Sequence, residues 1–281
     1  MLPSNIQLWL KQQLNKSIES IAQVSGGCIN DCYQVVTSCD KRFFVKYHPA
    51  QTMFEAESVG LKAISDAVTG LAPQVLAVHH QAMVLEWLEE RPASSAFWKD
   101  LAKQLADLHS NTQDSFGFVQ DNYCGLTPQQ NKPDKDGYRF FAEQRLQYQA
   151  RIAYDSGRLN SEDLSAIEKV CFRLPELVPA QKAVLIHGDL WSGNLMNTAE
   201  GPKLFDPACY YGWPEAELAM TTLFGGFDDV FYQEYQMVSG ISESWRERAK
   251  LYNLYHLLNH LNLFGGSYLS SVRQVLKPFY D

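Results

Sequence analysis

The sequence predicts an α+β chain in two lobes: a small β-rich amino-terminal lobe with one main helix, residues 1–89, and a larger α-helical lobe, residues 90–281. Three observations carry this reading. Between residues 20 and 90, short apolar alternations are broken by glycine and polar turns, with one helical period among them. Past residue 90 the helical period dominates. Between the two halves, "ERPAS" (Glu90 to Ser94) reads as a linker. With 281 residues, 46% apolar and 20% charged, the chain can bury a substantial core.

The elements follow in order. Ile6, Leu10, Leu14, Ile18 and Ile21 have the spacing of an amphipathic amino-terminal helix. "VSGGCINDCYQVVTS" reads as a Gly26-Gly27 turn between two strands, and "KRFFVKYH" as a further short strand. "TMFEAESVGLKAIS" places Phe54, Val59, Leu61 and Ile64 on one helix face. "PQVLAVHHQAMVLEWLE" reads as two strands around His79-His80-Gln81. Helical periods then recur in "FWKDLAKQLADLHS", "YRFFAEQRLQYQARIAY", "SEDLSAIEKVCFRL" and "ESWRERAKLYNLYHLLNHLNLF". Among them, Ala183 to Ile186 is an apolar strand running into a polar loop, "HGDLWSGNLMN".

Bulk properties narrow the function. A net charge of −8 argues against general nucleic-acid or anionic-membrane binding. No apolar run approaches the length of a membrane helix, and the amino terminus lacks a signal-like charged and apolar pair of regions. The six cysteines show no CxxC pairs. Free thiols in a reducing cytoplasm are therefore expected, in a chain expected to be a monomer.

The polar loop carries the chemistry. Asp189 and Asn194 stand five residues apart, the offset found in the H-R-D-x-x-x-x-N loop of protein kinases. A carboxylate can orient an acceptor hydroxyl and take its proton, and a carboxamide oxygen suits magnesium, a hard cation. "KLFDPA" supplies a second carboxylate: Leu204 and Phe205 read as strand, with Asp206 at its end, twelve residues beyond Asn194. The parts needed upstream for phosphoryl transfer from ATP occur in order. Gly26 and Gly27 would let backbone amides approach phosphate, although such a turn taken alone is usually only a turn. Lys46 would pair with the α- and β-phosphates, with Glu57 preferred to Glu55 as its partner. Glu86, Trp87 and Leu88 fall where a hinge strand would offer backbone groups to adenine. His187 is expected to brace the loop backbone. His109, His256 and His260 are read as core residues, since HLLNH lacks the glutamate of H-E-x-x-H. Cys28 and Cys32 are read as inert, although an exposed Cys28 beside the phosphates would make ATP binding sensitive to oxidation. After Asp206, "DPACYYGWPEAELAM" enters a helix directly, leaving no room for a peptide-docking activation segment.

"HGDLWSGN", "FDPACYYG", "ELAMTTLFGGF" and "LYHLLNHLNLFG" resemble the fructosamine kinase (ketosamine 3-kinase) family, which is related to the aminoglycoside phosphotransferases and has the protein-kinase-like fold. "GGCINDCY", "FFVK", "FEAESVGL", "FGFVQDNYCGLTPQQN" and "FFAEQRL" extend the resemblance along nearly the whole chain. The resemblance implies ATP- and magnesium-dependent phosphorylation of the 3-hydroxyl of a ketosamine, free or protein-bound, giving an unstable adduct that leaves the amine. It implies Asp189 as base, Asn194 and Asp206 as magnesium ligands, Lys46 and Glu57 as the phosphate-orienting pair, and Trp191 and Glu215 at the acceptor. Two positions depart from the family pattern. Where G-D-R-E-x-D-L-A is usual, Glu217 replaces the aspartate, and Tyr138 stands where tryptophan is common. The alternatives are a kinase of the aminoglycoside or choline type and a non-catalytic nucleotide-binding pseudokinase.

Overall fold

The computed structural model describes residues 2–24, 30–50 and 53–280. The first helix, α1 (Ser4–Leu14), stops where Asn15 takes a left-handed conformation with φ 48°. Ile18 and Ile21, expected on that helix, lie instead on strand β1 (Ile18–Val24). Their spacing suits either element; asparagine tolerates the backbone that ends the helix, and β1 then gains a full antiparallel ladder.

That ladder is with β2 (Asp31–Thr37), followed by β3 (Arg42–Tyr47), α2 (Met53–Ala67), β4 (Val75–His79) and β5 (Ala82–Glu86). The strands form one antiparallel sheet in the order β1-β2-β3-β5-β4. Strand alternation divides its side chains. Tyr33, Val35, Val45 and Val84 point to one face and pack with Ile6 and Leu10 of α1. Met83 and Leu85 point to the other, joining Phe54, Leu61 and Ile64 of α2 in a core that continues into the helical half. Lys46 lies opposite Cys32 and Met83 in the ladder.

The helical half begins with α3 (Ser95–His109), capped by the Ser94 hydroxyl, which accepts from the Phe97 amide at 3.3 Å. Short strands β6 (Thr112–Gln113), β7 (Asn122–Cys124) and β8 (Thr127–Gln129) follow. Helix α4 (Gly137–Phe141) passes through a π-helical turn, Ala142–Gln147, into α5 (Tyr148–Asp155), and α6 is Ser161–Leu177. Next come β9 (Ala183–Ile186), the β10 (Leu195–Thr198) and β11 (Gly201–Leu204) hairpin, and β12 (Tyr210–Gly212). Strand β9 lies between β12 and β6. The chain finishes with α7 (Pro214–Thr221), α8 (Asp229–Ser239), α9 (Trp245–Phe264) and α10 (Leu269–Leu276). Among the described residues no disulfide forms and no helix is long and apolar enough to cross a membrane.

Because Leu10 is fully buried between α1 and the sheet, Leu10→Ala is expected to destabilise the chain by about 2–5 kcal/mol. Urea unfolding followed by circular dichroism measures this; an unchanged midpoint would mean that α1 does not cover the sheet.

Candidate active site

Lys46 projects from β3 between two carboxylates. Its Nζ donates to Glu57 Oε1 at 2.6 Å and to Asp206 Oδ1 at 2.5 Å, and the residue is 3% exposed. Burial alone would push the ammonium pKa down, but Asp206 and Glu57 outweigh it and hold the group above its ordinary value. The preferred glutamate is the one found: Glu57 is buried, whereas Glu55 is exposed. Gly60, one turn on, fixes how closely α2 approaches. A Cβ there would stand 3.1 Å from the Pro207 ring and 3.5 Å from Cys209 Sγ. Helix α2 therefore rests on the loop that follows Asp206.

The loop after β9 is held by crossing contacts. Gly188 has φ 82°, and a Cβ there would lie 2.2 Å from Ala208 O, so only glycine fits. The Ala208 amide donates to His187 O at 2.9 Å. The Asp189 amide donates to His187 Nδ1 at 3.3 Å, which leaves His187 Nε2 to carry the proton and donate to Phe205 O at 3.0 Å. Burial lowers the His187 pKa to about 4, so the imidazole is neutral and braces the loop, as the sequence suggests.

Glu217, which departs from the family pattern, is the other brace. Its Oε1 accepts from the His187 amide at 2.7 Å and its Oε2 from the Gly188 amide at 2.9 Å. Burial raises its pKa to about 7, partly offset by the two amides. These bonds present Asp189, whose pKa is raised to about 7 by burial and by the charge of Asp206. Asn194 Nδ2 donates to Asp189 O at 2.9 Å and approaches Asp189 Oδ2 at 3.4 Å. Its carboxamide oxygen is left for a cation. The Phe205 amide donates to Asn194 O at 3.2 Å, tying Asp206 to Asn194. Asp206 itself has φ 57°, a left-handed conformation that is uncommon away from glycine. Asn194 and Asp206 thus offer an all-oxygen donor set suited to a hard divalent cation.

The remaining sequence-predicted residues divide. The Trp191 ring is half-buried, packs edge-on to Phe224 at 5.7 Å, and covers Gly193, where a Cβ would fall 2.2 Å from the indole. The Glu86 amide is committed to Gln74 O at 3.1 Å and is therefore not open to another acceptor. Gly26, Gly27 and Cys28 lie outside the described residues. Glu215, expected at the acceptor, is engaged by side chains of α9. Arg248 engages both of its oxygens, at 2.8 and 2.7 Å, and Tyr252 adds a hydroxyl at 2.8 Å, so Glu215 joins α7 to α9.

Sequence reasoning also missed a buried polar layer beneath the Asp206 loop. Asn122 Nδ2 donates to Cys209 O at 2.8 Å, and Gln129 Nε2 donates to Ala208 O at 3.0 Å. Tyr255 donates to Gln129 Oε1 at 2.6 Å. The only sequence signal was their place in "DNYCGLTPQQN". His109 is the buried residue expected, with Nδ1 2.6 Å from the Tyr235 hydroxyl.

Removing the Glu217 carboxylate leaves two buried amides unpaired, each costing about 1–3 kcal/mol. Glu217→Ala is therefore expected to unfold at lower denaturant and to exchange the His187 and Gly188 amides faster. Wild-type protection at both amides would remove Glu217 from this role.

The fructosamine kinase family model matches residues 1–280. A ketoamine kinase homologue of Synechocystis is 41% identical over 269 residues, covering 92% of this chain and 90% of its own. The ketosamine-3-kinase of Mus musculus is 35% identical over 308 residues, covering 95% and 97%. The crystal structure of a fructosamine-3-kinase homologue from Thermobifida fusca superposes with a TM-score of 0.90 at 30% identity, covering 98% of each chain. A streptomycin–ATP complex of the aminoglycoside phosphotransferase APH(2")-IIa shares the fold, with a TM-score of 0.69 at 14% identity over 99% of this chain and 97% of that one. The two-lobed kinase-like architecture expected from the sequence is thus the one found, and the chain belongs to the fructosamine kinase family.

Proposed function

We propose that this chain transfers the γ-phosphoryl group of ATP, taken up with magnesium, to the 3-hydroxyl of a ketosamine, free or protein-bound, so that the adduct leaves its amine. The observation that carries this reading is the convergence of Lys46, Glu57 and Asp206 in one ion cluster, with Asp189 and Asn194 bonded to each other beside it. The ketosamine-3-kinase name of a relative matched over nearly its full length supports the acceptor class.

Each residue has a distinct task. Lys46, steadied by Glu57, pairs with the nucleotide phosphates, while the backbone of Trp87 and Leu88 receives adenine. Asn194 and Asp206 would hold magnesium, which supplies charge neutralisation at the phosphates. Asp189 aligns the acceptor hydroxyl with the γ-phosphorus. As the new oxygen–phosphorus bond forms and the bond to ADP breaks, the hydroxyl proton passes to Asp189. A carboxyl with a pKa raised to about 7 is a competent acceptor for it. Trp191 packs against the sugar, and the reaction runs in the cytoplasm.

Asp189→Asn is expected to lower turnover by roughly 10²–10⁴-fold while leaving nucleotide binding intact. A wild-type rate would refute the assignment of the base. Asp206→Ala is expected to weaken magnesium–ATP binding in isothermal titration; an unchanged isotherm would exclude Asp206 as a ligand. An acceptor panel of fructose, ribulose and erythrulose adducts on free and protein-bound lysine, read by coupled ADP release, tests the substrate class. Activity confined to aminoglycosides or choline would overturn the ketosamine reading, and ATP binding without any turnover would indicate a pseudokinase.

A further inference from the structure

Helix α9 passes directly behind the candidate base. His256 Nδ1 lies 3.7 Å from Asp189 Oδ1. Both atoms are buried, and neither has a hydrogen-bond partner. Buried polar atoms are rarely left so, because each unpaired one carries a desolvation penalty. The sulfur of Cys124 closes the group, with the three side-chain atoms within 4.8 Å of one another. That sulfur already accepts from Asn259 Nδ2 at 3.2 Å, which leaves the carboxylate and the imidazole facing each other.

The imidazole is held in place from both sides of its helix. Three residues before it, Asn253 Nδ2 donates to Ala219 O at 2.8 Å. Three residues after it, Asn259 Nδ2 donates to Cys124 O at 3.2 Å. These bonds fix the rotation of α9, and the Tyr255 ring packs edge-on to the imidazole at 4.9 Å. The pair stands at 3.7 Å, so the roughly 2.9 Å of an N–H···O bond requires the two side chains to close that gap. Catalytic hydrogen bonds are often long without substrate and tighten in the complex.

We propose that His256 is the positioning residue for Asp189, donating Nδ1–H to Oδ1 so that Oδ2 is presented to the acceptor hydroxyl. This deepens the kinase reading and rests on it. Burial lowers the His256 pKa to about 3, so the ring is a neutral donor and does not compete with Asp189 for the transferred proton. On the opposite side, Asn194 reaches Oδ2 only at 3.4 Å, too long to fix the carboxylate alone. His256 acts through Asp189 and touches neither nucleotide nor metal in this scheme.

The test compares His256→Leu, which removes the donor, with His256→Asn, which can return an amide N–H near the position of Nδ1. With the best ketosamine, His256→Leu is expected to lower kcat about 10- to 100-fold with the KM for ATP unchanged, and His256→Asn to recover most of that loss. Wild-type kcat in His256→Leu would overturn the proposal. So would equal losses in both variants accompanied by equal losses of nucleotide affinity and Tm, since that pattern marks packing alone. A second measurement is independent of turnover. Long-range proton–nitrogen NMR should show His256 as the Nδ1–H tautomer, with a shift that moves in Asp189→Ala. An Nε2–H tautomer in the wild type, or no response to Asp189→Ala, would overturn the inference. Absence of ketosamine turnover in the wild type would defeat the kinase reading instead, and the spectra would still decide the His256–Asp189 bond.

Discussion

The Lys46 ammonium is the point on which the rest of the structure depends. It brings together a strand, a helix and a loop that are remote in sequence, through contacts of 2.6 Å to Glu57 and 2.5 Å to Asp206. At 3% exposure a cation has almost no water to stabilise it, so the two carboxylates must do so. The buried Glu57 carboxylate needs the cation for the same reason, whereas the Asp206 carboxylate keeps part of its water. The position of α2 follows from this mutual requirement, and the close seat of Gly60 on Pro207 lets the helix come near enough to satisfy it.

A second constraint acts on the two loops that carry Asp189 and Asp206. Neither loop is a strand, so their backbone groups lack ladder partners, yet they lie in a buried region. Side chains meet the need: Glu217 receives two amides, His187 binds Phe205 O, and Asn122 and Gln129 reach the carbonyls of Cys209 and Ala208. Nearby, the wholly buried Arg145 donates to Gln130 O at 2.6 Å and to Asn131 Oδ1 at 2.7 Å, and lies 3.9 Å over the Tyr210 ring. A largely satisfied polar layer of this kind rigidifies what it supports. It gives a physical reason for polar residues in a segment that otherwise reads as core.

The candidate site was legible in the sequence because phosphoryl transfer restricts residue type and spacing together. The structure brings the side chains of Lys46, Glu57, Asp189, Asn194 and Asp206 together, with His187 bracing the loop backbone. The two-lobed division was legible because strand and helix periods differ. The failures share a different cause. Ile18 and Ile21 suit a helix or a strand, and the deciding event, Asn15 entering a left-handed conformation, leaves only a faint mark. Glu215 and Glu217 are two residues apart on one short helix, so their sides had to be seen: one meets Arg248 and the other the loop amides. His256 is the buried residue expected, but its approach to Asp189 was hidden because Asp189 is distant in the chain. Motifs report local spacing, whereas these contacts exist only after folding.

The short path from Asp206 through Pro207, Ala208 and Cys209 into β12 has a thermodynamic consequence. In a protein that populates two arrangements, apparent affinity is the intrinsic affinity reduced by the fraction in the competent one. Here the loop is bonded to His187 and lies against α2, and the Lys46–Glu57 contact closes on residues of the chain alone. The Lys46–Glu57 pair is thus already made without nucleotide. Nucleotide binding free energy need not be diverted to assembling that pair, although exchanging the Lys46–Asp206 contact for phosphate and metal draws on it.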